Sequence, residues 1–128
     1  MKVETKYASP LVLEDILISE SRFKRAEEDL EDIKLGIKVE RDIKKISGSR
    51  YRVELTLLVA DENDKISAFV KGIGRFKTEQ ENQGLIERNT IAIMFPYLRS
   101  YISTLTTQPG MTPVVLPAIN VVSMLQDK

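Results

Sequence analysis

YRVELTLLVA, residues 51–60, places every second side chain on one apolar face. The residues of that face are Tyr51, Val53, Leu55, Leu57 and Val59. A period of two is typical of a β-strand that has one face on a core and the other in water. The segment therefore predicts part of an antiparallel sheet, one face of which needs a covering layer.

Three further strands are predicted around this segment. They cover residues 11–23, 32–43 and 66–76. In the second of them the alternating apolar residues are Ile33, Leu35, Ile37 and Val39. The connections are a polar stretch at residues 24–32 and two turns, SGS at 47–49 and DENDK at 61–65. Short turns between alternating segments indicate a four-stranded antiparallel sheet.

After the fourth strand the apolar period becomes that of a helix. The stripe consists of Ile91, Phe95, Leu98, Ile102 and Leu105. Pro96 lies within it and is expected to kink the helix or to begin a new one. Most other positions are polar, yet Arg99 is the one charged residue among them. An uncharged back on a helix that already covers a sheet predicts contact with a second subunit. The predicted interface comprises Tyr97, Leu98, Tyr101, Ile102 and Leu105.

The segment QPGMTPVVLPAINVVSML, residues 108–125, has no charged residue and contains three prolines. The prolines exclude a continuous helix, although the residues from 119 onwards can form a short one. A tail of this kind suits two roles. It can close over the core as a lid, or it can line an open apolar groove.

Composition excludes several classes of function. The chain of 128 residues has no cysteine and no histidine, which rules out disulfides, thiolate nucleophiles, Cys/His zinc sites and histidine acid–base chemistry. Lys+Arg and Asp+Glu both number 19, so neither a nucleic-acid nor a membrane-surface partner is predicted. No membrane span and no signal peptide are recognisable. We therefore expect one cytoplasmic domain, residues 1–128.

Two short segments look like ligand-binding motifs but lack essential parts. GIGRF, residues 72–76, has neither the third glycine nor the following helix of a phosphate loop, and strand glycines that admit a bulge or a bend explain it. EEDLED, residues 27–32, lacks the central glycine of a calcium loop and indicates a solvated connection. No set of acid, base and nucleophile emerges elsewhere. We predict no enzymatic activity, no cofactor and no metal.

The segment IMFPYLRSYI, residues 93–102, resembles the SecB family of export chaperones. Members of that family carry Phe-Pro-Tyr-x-Arg where their long helix opens. The matching residues here are Phe95, Pro96, Tyr97 and Arg99, with Ile102 at a family apolar position. The family's proline-containing apolar tail is matched by Pro113, Leu116, Ile119 and Asn120. The resemblance covers roughly residues 11–126.

This resemblance implies an α+β fold: a four-stranded antiparallel sheet followed by one long and one short helix packed on it. It also implies a homotetramer, built as a dimer of dimers. The implied function is that of an ATP-independent holdase, which keeps unfolded polypeptides in apolar surface grooves and uses no cofactor. The residues expected to line the groove are Met111, Val114, Val115, Leu116, Ile119, Val122, Met124 and Leu125.

The sequence also departs from the family pattern. Asp15 lies near an acidic position that implies docking of the SecA motor, but Lys71 and Gly72 stand where a second acidic side chain is expected. The chain ends at Lys128 without the family's extended C-terminal tail. These departures keep open a second role, as the dedicated chaperone of an antitoxin in a toxin–antitoxin system. A third alternative is an oligomeric adaptor whose apolar tail is consumed by assembly.

Overall fold

The computed structural model describes residues 10–79 and 82–126. Its elements are β1 (Val12–Arg25), β2 (Gly36–Ser47), β3 (Arg50–Ala60), β4 (Ile66–Lys77), α1 (Gln83–Leu105) and α2 (Val121–Gln126). The strands form one antiparallel sheet in the order β1-β4-β3-β2, with β1 and β2 at its edges. The predicted α+β fold, with one long and one short helix, is confirmed.

The core lies between the sheet and α1. On β3 the five residues of the predicted apolar face are all buried, from Tyr51 to Val59. Ala68, Val70 and Phe76 of β4 are buried on the same side of the sheet. Phe95, Leu98 and Ile102 of α1 pack onto this face and complete the core. The period-two pattern of β3 therefore identified the inner face correctly.

The second strand begins later than the sequence predicted. β2 pairs with β3 from Gly36 onwards, where Gly36 lies opposite Ala60, the last residue of β3. Ile33 and Leu35 therefore precede the strand and have no partner in the sheet. The connection must also carry the chain from one edge of the sheet to the other, and Asp32 turns it with a φ of 58°. Alternation alone cannot reveal where a partner strand ends.

The β3–β4 turn forms where the sequence predicted it, and Asp61 holds it closed. The Asp61 carboxylate accepts backbone hydrogen bonds from Ile66 at 2.9 Å and from Asn63 at 3.3 Å. These bonds favour the ionised carboxylate, and the bond from Ile66 above all holds the pKa of Asp61 below its ordinary value. Asp64 takes up the left-handed conformation that the turn requires.

α1 is longer than its apolar stripe suggested. It begins at Gln83, because the Asn82 side chain accepts a hydrogen bond from the backbone N–H of Leu85 at 3.1 Å and caps the first turn. Ile86 and Thr90 extend the buried stripe towards the N-terminus. The helix also runs through Pro96 as one element, so a new helix does not begin there. The Phe-Pro-Tyr-x-Arg motif consequently lies in the middle of α1 and not at its opening.

Gly72 and Gly74 let the helix approach the sheet. A Cβ atom at Gly72 would lie 2.7 Å from Cδ1 of Leu98, and one at Gly74 would lie 2.8 Å from Sδ of Met94. The pairing of β3 with β4 runs through both glycines without a register shift. The shifts against β4 involve extra residues in β1. One of these shifts lies directly opposite Gly72 and Lys71, and both glycines also make room for α1.

Candidate functional site

The chain after α1 folds back and is tied to the end of that helix. Ser103 Oγ donates a hydrogen bond to the carbonyl oxygen of Val114 at 2.9 Å. The backbone N–H of Val114 donates to Thr106 Oγ1 at 2.8 Å. Residues 107–120, which we call the tail, contain neither strand nor helix and lead into α2. Part of the uncharged surface of α1 is thus explained by the protein's own tail.

A cleft of 350 Å³ separates the tail from the connection between β1 and β2. Its apolar lining comes from both sides and consists of Leu30, Ile33, Leu35, Ile66, Met111 and Val114. Arg25 and Asp29 contribute charged groups to the same lining, and Gly110 and Thr112 complete it. Apolar side chains and polar groups contribute about equally to the surface of the cleft, so it offers apolar contacts and hydrogen-bonding groups side by side.

The predicted groove residues of the tail face in different directions. Met111 and Val114 line the cleft. Val115 is 78% exposed, whereas its neighbour Leu116 is 7% exposed and belongs to the core. Successive side chains of an extended segment point to opposite sides, so one of the two had to turn inwards. The assignment of Leu116 to the groove is corrected: it acts as a core residue, as the lid interpretation expected.

α2 and Ile119, which lies two residues before it, leave much of their apolar surface uncovered. Ile119 and Met124 pack against the core and are half-buried. Leu125 is also half-buried, and Val122 is 51% exposed. No residue of α2 is fully buried. Four of the predicted groove residues are therefore only partly covered by the rest of the protein.

The inner face of β2 is a further apolar surface. α1 packs on β4, β3 and β1, so the edge strand β2 is less well covered. Ile37 is exposed and Val39 half-buried on the face that looks towards the core. Further along, Arg41 Nη2 lies 2.8 Å from Glu87 Oε1 of α1, and this ion pair interrupts the apolar row, which resumes at the half-buried Ile43. β2 pairs with β3 on one side, and its other edge has no strand among the described residues.

Sequence reasoning missed half of the cleft. Leu30, Ile33 and Leu35 belong to the connection between β1 and β2, which was expected to be solvated or to be part of a strand. The available signal was Leu30, a lone apolar residue among the carboxylates of EEDLED. Only the folded chain brings this connection beside the tail, which follows it by about eighty positions in the sequence.

The back of α1 forms a separate surface. A shallow depression of 350 Å³ is lined by Pro96, Tyr97, Ser100, Tyr101 and Thr104. Tyr97 is 52% exposed, and the Tyr101 hydroxyl lies 3.2 Å from Ser21 Oγ of β1. Leu98 and Ile102 are fully buried against the sheet. Their assignment to a subunit interface is corrected, because on a helix they lie on the opposite side from this depression.

Leu105, the remaining residue predicted for the interface, is half-buried and packs against the core. It therefore belongs mainly to the sheet-facing side of α1. The back of the helix keeps the exposed Tyr97 and the half-buried Tyr101, with Ser100 and Thr104 beside them. The prediction of an interface is thereby narrowed to Tyr97 and Tyr101.

On the outward face of the sheet, the residues considered for motor docking are tied into ion pairs. Asp15 Oδ1 lies 2.9 Å from Arg75 Nη1. Lys71 Nζ lies 3.8 Å from Glu54 Oε1 and 4.0 Å from Glu20 Oε1. Gly72 is buried against α1, so this position cannot present a side chain to the outward face.

The structure also bears on metals and membranes. In residues 10–79 and 82–126, no group of three or more carboxylate side chains is placed to hold a metal ion. The helices of this part of the chain are too short or too polar to cross a membrane. The side-chain nitrogen and oxygen atoms buried there all have hydrogen-bond partners.

A four-stranded antiparallel sheet of order β1-β4-β3-β2, covered by one long helix and followed by a short final one, defines the SecB-like class of α+β proteins. The chain matches the family described as SecB, preprotein translocase subunit SecB, over residues 1–128. It belongs to this family of chaperones.

The proteins whose solved structures are similar to this chain include one from Mycobacterium tuberculosis and one from Streptococcus agalactiae. One is the Mycobacterium tuberculosis Rv1957 SecB-like chaperone in complex with a ChAD peptide from the Rv1956 HigA1 antitoxin; it has a TM-score of 0.72, 14% identity, and coverage of 86% of this chain and 90% of that chain. The other is a protein of unknown function from Streptococcus agalactiae, with a TM-score of 0.52, 12% identity, and coverage of 84% and 97%. At these identities the likeness concerns the fold.

A sequence relative is known from an archaeon. Uncharacterized protein MJ0357 of Methanocaldococcus jannaschii is 51% identical over 39 residues. The match covers 30% of this chain and 25% of the relative, so it spans a quarter of that protein's length.

Proposed function

We propose that the protein is an ATP-independent holdase, which binds non-native polypeptide on the surface formed by the tail, α2 and the inner face of β2. The observation that carries this proposal is the apolar surface left uncovered there, with Val115 at 78% and Val122 at 51% exposure. Fully covering a side chain of this kind is worth about 1.5–3 kcal/mol. A client that covers several of them gains enough to bind without a nucleotide.

The shape of this surface favours an extended client. The 350 Å³ cleft accepts a bulky side chain. The outer edge of β2, beside which residues 10–79 and 82–126 place no strand, offers backbone N–H and C=O groups to an extended chain. Met111 in the cleft and Met124 on α2 supply flexible side chains that adapt to different sequences. Folded proteins bury both their apolar side chains and their backbone groups, so they should not compete.

The holdase activity can be measured directly. A chemically unfolded protein that aggregates on dilution should scatter much less light when this protein is present in stoichiometric amount. ATP should change nothing. Raising the salt concentration from about 0.05 to about 0.5 M should weaken the effect little, because apolar burial is not screened. Undiminished scattering, or protection that disappears at the higher salt concentration, would contradict the proposal.

Leu35→Ser tests the cleft against a matched control, Ile46→Ser. Both residues are exposed apolar side chains, but Leu35 lines the cleft and Ile46 lies near the β2–β3 turn at the other end of the sheet. Loss of one covered apolar side chain should weaken client binding by about tenfold for Leu35→Ser. Ile46→Ser should bind like the wild type. Client affinity is measured by fluorescence anisotropy of a labelled unfolded client. Equal losses of affinity in the two variants would show that the client does not bind at the cleft.

We also propose that the protein assembles through the back of α1 as a dimer of dimers. An exposed Tyr97 beside a shallow, uncharged depression supports this assembly. Tyr97→Glu should place an unpaired charge in the contact, which costs several kcal/mol, so tetramers should dissociate into dimers. Arg88→Glu, at an exposed position nearer the start of α1, is the control and should leave the tetramer intact. Sedimentation velocity distinguishes these species, and a monomeric wild type at micromolar concentration would contradict the assembly.

Service to an antitoxin is the second candidate role. Lys71, paired with Glu20 and Glu54, stands where docking of the SecA motor would call for an acidic surface. The solved structure of a SecB-like chaperone with an antitoxin peptide also supports an antitoxin as the client. We expect no measurable binding of the SecA motor by surface plasmon resonance. Micromolar binding of the motor would favour export instead.

A further inference from the structure

Five cations occupy two adjacent rows across the outward face of the sheet, near the β2–β3 turn. In one row Lys44 lies opposite Arg52, and Arg52 lies opposite Arg75. In the next row Arg50 lies opposite Lys77. We call these five residues the cationic rows. They point away from α1 and from the cleft, so they form a surface separate from the one proposed for clients.

This arrangement is unfavourable for the isolated protein. Side chains directly opposite on neighbouring strands lie about 4.5–5.5 Å apart, and like charges at that distance destabilise the pairing. Lys44, Arg52 and Arg75 make two such contacts in succession. A sheet selected for stability alone would alternate the signs of charge across its strands.

Carboxylates near the rows offset the repulsion only in part. Arg75 has a close partner in Asp15 at 2.9 Å, and Arg50 pairs with Glu14. Lys44 Nζ is 3.6 Å from Asp42, and Arg52 Nη2 is 3.7 Å from Glu54. These two distances exceed that of a good charge-assisted hydrogen bond. A guanidinium has five N–H donors, so Arg52 keeps most of them for a ligand.

We propose that the cationic rows bind an acidic polypeptide segment of a partner protein. Arginine forks bind carboxylates in a bidentate manner, and an extended peptide places every second carboxylate on one side, about 7 Å apart. A continuous phosphodiester backbone fits less well. The cationic rows include no aromatic side chain on which a base could stack.

A fluorescein-labelled polyglutamate peptide tests this surface by fluorescence anisotropy at low ionic strength. Arg52→Gln should weaken binding by about tenfold, as expected for the loss of a charged hydrogen-bonding partner. Lys38→Gln is the control. It also removes one positive charge from the outward face of the sheet, but Lys38 lies two rows beyond Glu54 and outside the cationic rows. This variant should bind polyglutamate like the wild type. Binding should also weaken as salt is added.

Thermal unfolding separates a binding role from a structural one. Arg52→Gln removes two like-charge contacts, so its thermal midpoint should equal or exceed that of the wild type. Its protection of an unfolded client should be unchanged. The proposal is overturned if the wild type does not bind polyglutamate, if Lys38→Gln loses as much affinity, or if the thermal midpoint of Arg52→Gln falls. It is also overturned if oligothymidylate displaces the peptide at a lower concentration than unlabelled polyglutamate.

Discussion

Val115→Ser and Leu116→Ser should give opposite phenotypes although the two residues are neighbours. Leu116 is 7% exposed and packs in the core, so its replacement should lower the free energy of unfolding by roughly 2–5 kcal/mol, as for other buried leucines. Val115 is 78% exposed, so its replacement should change stability by less than about 0.5 kcal/mol. Client affinity should fall in Val115→Ser, because the client is proposed to cover that side chain.

The measurement needs both variants side by side. Thermal midpoint and binding of a labelled unfolded client are recorded for each, and client binding is compared within the folded fraction. The two variants have the same net charge and differ by one position in the chain, so they control for each other. A stable Leu116→Ser variant would place that residue outside the core. Full client binding by Val115→Ser would return the tail to the role of a simple lid.

The second large effect is expected at Gly72. A Cβ atom there would lie 2.7 Å from Cδ1 of Leu98, so this fully buried side chain would have to shift among its core neighbours. Gly72→Val should therefore push α1 away from the sheet and cost about 1–3 kcal/mol or more through overpacking. The same displacement should loosen the tail, which is hydrogen-bonded to Ser103 of α1 and to Thr106 at its C-terminal end.

Gly36→Val is the matched control for this substitution. Gly36 is also a strand glycine, but a Cβ atom there would have its nearest neighbour at 3.9 Å, in ordinary contact. A chemical denaturation series of both variants measures the difference. A partial rescue of Gly72→Ala by Leu98→Ala, seen as a non-additive loss of stability, would locate the clash between these two residues. Equal stability of Gly72→Val and Gly36→Val would contradict the close packing of α1.

Much of the fold could be predicted from the local periodicity of apolar residues. The period of two in residues 51–60 marked the inner face of β3, because a half-buried strand must alternate. The spacing of Phe95, Leu98 and Ile102 marked the buried side of α1, because a helix against a sheet needs a continuous stripe. The same spacing also places Leu98 and Ile102 on the opposite side of the helix from Tyr97 and Tyr101. Helical periodicity was therefore sufficient to exclude Leu98 and Ile102 from an interface on the back of α1.

The sequence by itself therefore determined the types of element, their order and the faces that must be buried. It also determined the absence of cysteine and histidine chemistry, since that follows from composition alone. The family resemblance rested on the segment around Pro96 and correctly anticipated the fold.

Only the tertiary structure decided which apolar residues remain exposed. The tail is extended and interrupted by prolines, so no period shows which of Val115 and Leu116 turns inwards. The cleft joins the β1–β2 connection to the tail, and the cationic rows join three strands through their register. Such sites arise from contacts between segments far apart in the chain, and local patterns carry no information about them. Gly72 is a further example. Only a residue without a side chain fits there, because Leu98 of α1 occupies the space that a Cβ atom would need.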